Sequence, residues 1–227
     1  MTICIAALYE NGKGCVLASD QMVTAHFPIG YEFESDEVDK IVNVCSAAPI
    51  HTLIAGDVFF ANNILEMAKK EAEVKGISTT PGIAELVRKS YQTVRRNVII
   101  HTQLESRGLD INTYYNSHQR LLPQIVQIID NMFATYSAKV DLIVAGMGES
   151  KCNIYTITNP GQIVCNDPIG YSAIGTGAPH AIYSLIESNY KKSLSKKEVE
   201  ELVTKAKERS EVAPGVGKKT KIISPPM

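Results

Sequence analysis

The chain has 227 residues, 44% hydrophobic and 21% charged, with a formal charge of −1, a composition that lets one domain bury its core without disulfides or a structural metal. Basic residues are spread along it, which argues against nucleic acid or an anionic membrane as the main partner. No apolar run approaches the ~20 residues of a bilayer span, the N-terminus lacks the regions of a signal peptide, and the five cysteines form no C-x-x-C pair. Four of those cysteines sit in apolar runs, so buried thiols in a reducing, cytoplasmic setting are expected.

Thr2 to Tyr9 is a short apolar segment compatible with a strand, and Asn11-Gly12 supplies hairpin turn chemistry before a returning strand, Cys15 to Asp20. A loop rich in acids and aromatics is expected from Gln21 to Asp39. Two further strands follow, Lys40 to Cys45 and Thr52 to Ala55. Helical periodicity begins at Asp57, with Phe60, Ile64, Ala68 and Glu71 recurring at steps of four, four and three. A second helix is predicted from Thr80-Pro81, read as an N-cap and first-turn proline, with Ile83, Leu86, Val87, Tyr91, Val94 and Val98 on its apolar face. Gly108 to Gln119 is polar and reads as a loop, and Ile125, Ile128, Ile129 and Met132 mark a third helix.

Strands return at Asp141 to Gly146, Asn153 to Ile157 and Gln162 to Val164, the last two separated by the turn Asn159-Pro160-Gly161. One later helix carries Ile182, Leu185 and Ile186. Another starts with the capping box Ser195-Lys196-Lys197-Glu198, and a last strand covers Lys219 to Ile223. Helices grouped between hairpins cannot act as crossovers of a wholly parallel sheet; they suit antiparallel sheets covered by helices. An α+β fold with a four-layer αββα sandwich, as one domain over residues 1–227, satisfies this order.

Several motifs fail on spacing. Gly215-Val216-Gly217-Lys218-Lys219-Thr220 approximates a phosphate-binding loop, but Val212 stands where the first glycine belongs and Lys219 where the hydroxyl belongs. The histidines (His26, His51, His101, His118, His180) show no metal-ligand spacing. No G-x-S-x-G elbow occurs. The lysine runs alternate with glutamates and read as solvated helix faces. No metal and no cofactor is expected.

Thr2 follows the initiator methionine, which is commonly trimmed before small residues. Removal would leave a free α-amine, of ordinary pKa about 8, beside a hydroxyl that needs a base to become a nucleophile. Alone, Met-Thr is an ordinary start. Its company is more informative: Thr2-Ile3-Cys4-Ile5-Ala6-Ala7, then Ala18-Ser19-Asp20-Gln21-Met22-Val23-Thr24, then Val38-Asp39-Lys40-Ile41, then Leu53-Ile54-Ala55-Gly56-Asp57 entering a helix. In these elements and their order the chain resembles the proteasome β-subunit family, including its bacterial relatives, which are N-terminal nucleophile (Ntn) hydrolases.

The resemblance implies roles. Thr2 matches the nucleophile, Lys40 the cation that lowers the amine's pKa, and Asp20 the carboxylate that fixes this lysine. Gly56 matches the oxyanion-hole donor, Thr24 a residue binding the substrate backbone, and Thr176, in Gly175-Thr176-Gly177, a serine near the nucleophile. The same register places Val23, Ile54 and Val58 around the substrate side chain. Toward the C-terminus the family pattern has an aspartate and a serine. Here Glu211 stands for the first and Pro214 occupies the second, which puts part of the hydrogen-bond network in question. The implied activity is a threonine-type peptidase acting through an acyl-enzyme on Thr2, on peptide or protein substrates, as a homo-oligomeric ring. The rivals are a catalytically silent structural subunit and a non-peptidase amidase or transacylase.

Overall fold

The computed structural model describes residues 2–26 and 32–225. In chain order the first elements are β1 (Cys4–Tyr9), β2 (Gly14–Asp20), β3 (Val23–His26), β4 (Glu32–Ser35), β5 (Ile41–Asn43) and β6 (His51–Gly56). Helices α1 (Val58–Lys75), α2 (Thr80–Ile99), α3 (Ile111–Ser117) and α4 (Pro123–Thr135) follow. The chain then forms β7 (Val140–Met147), β8 (Cys152–Thr158), β9 (Gln162–Cys165), β10 (Tyr171–Ile174), α5 (Ala178–Glu187), α6 (Lys196–Ser210) and β11 (Thr220–Ile223).

β1 is apolar throughout because both of its faces are covered. Ile3, Ile5, Ala7 and Tyr9 pack with Leu185, Val199 and Val203 of α5 and α6, whereas Cys4, Ala6 and Leu8 pack with Leu53, Ile143 and Ile154 of the other sheet. Side chains alternating across a strand make this division automatic. One sheet has the order β10-β1-β2-β11 and the other β5-β6-β7-β8-β9, with all of their pairings antiparallel. A third apolar cluster joins the second sheet to α1 and α2 through Ile54, Leu142, Val144, Ile64, Ile83 and Tyr91. The layers therefore run helix, sheet, sheet, helix, the αββα sandwich expected from the sequence.

Local chemistry sets the element ends. Asp57 caps α1, accepting from the Phe60 N–H at 3.0 Å, and the Ser195–Glu198 capping box forms at α6. Thr80 is not the cap of α2: Thr79 holds that position, and the Thr80 hydroxyl donates instead to the Met147 carbonyl at 2.6 Å, tying α2 to β7. Two expected loops are more ordered than polarity suggests. Within Gln21 to Asp39, β3 and β4 pair as a hairpin. Within Gly108 to Gln119, Asp110 caps α3 by accepting from the Asn112 and Thr113 N–H groups at 2.8 and 2.9 Å. Tyr114 then anchors α3, buried with Leu104 and Ile129 and donating to Asp130 at 2.7 Å. One cap and one buried aromatic outweigh a polar composition there.

The cysteines divide as the apolar runs imply: Cys4, Cys15, Cys45 and Cys152 are buried and Cys165 is exposed, all with free thiols.

Candidate active site

The ends of several strands converge beside Thr2. The residue stands just before β1, whose first pairings are Cys4 with Ser19 of β2 and with Ile174 of β10. This register brings the end of β2, carrying Asp20, and the turn after β10, carrying Thr176, to either side of it. Lys40 immediately precedes β5, and its carbonyl accepts from the Ile54 N–H of β6 at 3.0 Å. The Cys4 thiol donates to the Ile54 carbonyl at 3.3 Å, a link from one sheet to the other directly beneath the site.

Asp20 is the hub. Its Oδ1 accepts from the Thr2 hydroxyl at 2.7 Å, the Ile3 N–H at 2.9 Å and Lys40 Nζ at 2.8 Å. Its Oδ2 accepts from the Gly217 N–H at 3.0 Å and the Met22 N–H at 3.3 Å. Lys40 Nζ also donates to Thr2 Oγ1. The Lys40 and Asp20 side chains are 2% and 0% exposed, so both charges are withdrawn from water and depend on each other and on these donors. Burial pushes the neighbouring Cys4 thiol up to about 12, against the opposing effect of Lys40.

The turn after β10 holds Thr2 from the other side. The Thr2 N–H donates to Thr176 Oγ1 at 3.3 Å, and the Gly177 N–H donates to the Thr2 carbonyl at 3.2 Å. Gly175 has φ +94°, and a Cβ there would lie 2.3 Å from the Thr2 carbonyl oxygen, so glycine alone permits this approach. Gly56 closes β6 at φ +101°, where a Cβ would meet the Lys139 carbonyl oxygen at 1.9 Å. It is exposed, one residue before the Asp57 cap.

Four of the sequence-derived residues, Thr2, Asp20, Lys40 and Thr176, are thus joined by hydrogen bonds. Of those assigned to the substrate pocket, Ile54 and Val58 share one apolar cluster, which Val42 also joins. Val23 is half-buried in β3, opposite Ser35. Thr24 stands in β3 opposite Glu34, and its side chain lies outside the described residues, as does Met1.

The C-terminal departure resolves differently from either sequence option. Glu211 turns its carboxylate to Lys207 at 2.6 Å, and Pro214 faces solvent. Neither is hydrogen-bonded to Thr2. The group that reaches the site from this segment is the Gly217 N–H, within the stretch whose spacing fails as a phosphate loop. A backbone donor leaves no residue-type signal, so only the return of β11 alongside β2, with Thr220 opposite Asp20, reveals it. Among the described residues no group of three or more His, Cys, Asp or Glu could hold a metal ion. No described helix is long and apolar enough to cross a membrane.

Comparison with curated proteins finds no match. The family model described as proteasome subunit matches residues 115–210, which run from α3 through β7–β10 to the end of α6. Over residues 115–210 the chain is thus similar to proteasome subunits, and the αββα sandwich of two antiparallel sheets is consistent with that likeness.

Proposed function

We propose that the protein is a threonine-type peptidase that cleaves amide bonds through an acyl-enzyme on Thr2 once Met1 has been removed. The observation that carries the proposal is the buried convergence of Thr2 Oγ1, Asp20 Oδ1 and Lys40 Nζ. An ion pair removed from water is costly to maintain, and both members of this one are hydrogen-bonded to the Thr2 hydroxyl.

In the mature protein the Thr2 α-amine takes the hydroxyl proton as Oγ1 attacks the substrate carbonyl carbon. Lys40, hydrogen-bonded to the same oxygen, stabilises its developing charge, and Asp20 holds Lys40 and the hydroxyl in place. The tetrahedral oxyanion accepts from the Gly56 N–H. Collapse breaks the C–N bond, and the protonated Thr2 amine returns its proton to the leaving amine. Water, activated by the same amine, then attacks the ester, releasing the acid and restoring the Thr2 hydroxyl. General-base assistance is worth roughly 10²–10⁴-fold and an oxyanion donor about 10²–10³-fold.

The substrate side chain next to the cut would meet Ile54, Val58 and Val23, none of which offers a charge. A buried unpaired charge is costly by several kcal/mol, so Leu, Tyr or Phe is expected there rather than Lys, Arg, Asp or Glu. Differences among accepted residues should be about 1–3 kcal/mol per methylene-scale change. A panel of fluorogenic peptides varied at that residue, run with Thr2→Ala as control, tests both points. Apolar substrates turned over only by the Thr2 protein are expected. Faster cleavage of Lys or Arg substrates would remove the pocket assignment and keep the nucleophile, whereas equal turnover by Thr2→Ala would remove the nucleophile.

Members of this family form oligomeric rings and act on protein substrates, and a homo-oligomeric ring in the cytoplasm is proposed here too. Exposed apolar side chains on helices, Phe59 on α1 and Tyr183 and Ile186 on α5, are compatible with burial between copies. Light scattering at micromolar concentration should give a closed multimer, and a monomer would contradict it.

A further inference from the structure

We propose that Lys207 is a positioning residue for the Asp20 carboxylate, an inference that rests on the role given above to Thr2, Asp20 and Lys40. Lys207 lies on the inward face of α6, and its side chain is 1% exposed, an unusual place for an ammonium group. It has two partners. Nζ donates to the Glu211 carboxylate at 2.6 Å, four residues on at the helix end, and to the Lys218 carbonyl at 2.7 Å. The second bond reaches across the turn that leads from α6 back to β11.

That turn ends on the active-site carboxylate. Lys218 follows Gly217, whose N–H donates to Asp20 Oδ2 at 3.0 Å. The next carbonyl, that of Lys219, accepts from the Gln21 N–H at 3.2 Å, and Thr220 then pairs with Asp20 in the sheet. Residues 217–220 therefore grip Asp20 along both its side chain and its backbone. Lys207 fixes the height of this grip relative to α6, with Glu211 neutralising the charge that does so. Ala213 and Val216 are buried within the same turn, but apolar contacts set no hydrogen-bond geometry. Release of the Lys218 carbonyl would let the Gly217 N–H drift from Oδ2. The other oxygen, which aims the Thr2 hydroxyl and Lys40 at each other, would lose its fixed orientation.

The test compares Lys207→Met, Lys207→Arg and Glu211→Gln in the full-length mature protein. Amide hydrogen exchange at Gly217 gives a readout independent of activity. Exchange should be at least tenfold faster in Lys207→Met, while the Ala6 and Leu17 amides in the sheet centre keep their protection. With a peptide substrate, kcat should fall at least tenfold with KM within twofold, and Lys207→Arg, which keeps a cation able to span both partners, should recover most of it. Should Lys207→Met not fold, Glu211→Gln is read instead, with the same signs and a smaller loss of about threefold or more. Unchanged Gly217 exchange in a folded variant overturns the proposal. So does faster exchange with unchanged kcat, or a loss carried in KM. If the wild-type protein turns over no peptide, the peptidase reading fails, and Gly217 exchange still decides whether Lys207 positions the donor to Asp20.

Discussion

Lys40→Ala is expected to lower turnover by about 10²-fold or more while leaving the protein folded. The activity loss follows from the proposed mechanism, in which charge develops on Thr2 Oγ1, the oxygen to which Lys40 Nζ is hydrogen-bonded. The fold should survive because Asp20 remains well supplied after the lysine is gone. Its two oxygens still accept from the Thr2 hydroxyl and from the N–H groups of Ile3, Met22 and Gly217. A carboxylate held by several N–H donors tolerates burial. Kinetics on a peptide substrate with a thermal melt on the same preparation check both halves. Turnover within a few-fold of the wild type would refute the role of Lys40.

Asp20→Ala should fail in the opposite way, with stability falling along with activity. Among the described residues, the Lys40 ammonium is then left 2% exposed with only the Thr2 hydroxyl within hydrogen-bonding distance. Breaking a buried pair from this side costs about 3–5 kcal/mol. For a chain of this size that corresponds to a drop in Tm of roughly 10 °C. The loosened donors matter as well, since Gly217 and Met22 lose the acceptor that ties the turn before β11 to the end of β2. The asymmetry between the two variants is the informative quantity. Equal melting temperatures for Lys40→Ala and Asp20→Ala would show that Asp20 is not the hub.

That Thr2, Asp20 and Lys40 come together was legible in the sequence because a polar residue type in an otherwise apolar setting needs a partner. Asp20 ends a buried strand, and Lys40 opens one. Neither belongs in a core without a partner, and together with Thr2 they form the resemblance carried by the first third of the chain. The family match to proteasome subunits covers a different stretch, residues 115–210. The αββα layering was legible from the grouping of helices between hairpins. What stayed hidden depends on backbone or on long-range register. The Gly217 N–H has no side chain to betray it, and its 197-residue separation from Asp20 is closed only when β11 pairs with β2. Helix α3 was missed because its stability comes from one cap and one buried tyrosine rather than from periodicity. Glu211 matched a family aspartate by position, yet a buried lysine one helical turn earlier claims its charge.

The central claim, that Thr2 is a free N-terminal nucleophile, is tested most directly by intact-mass analysis of the protein from its native host. The spectrum should be read before and after treatment with a β-lactone acylating agent. The expected spectrum lacks the mass of Met1 and gains one acyl group, which peptide mapping places on Thr2 and which Thr2→Ala does not acquire. Quantitative retention of Met1, or an acyl group mapped to any other residue, would contradict it.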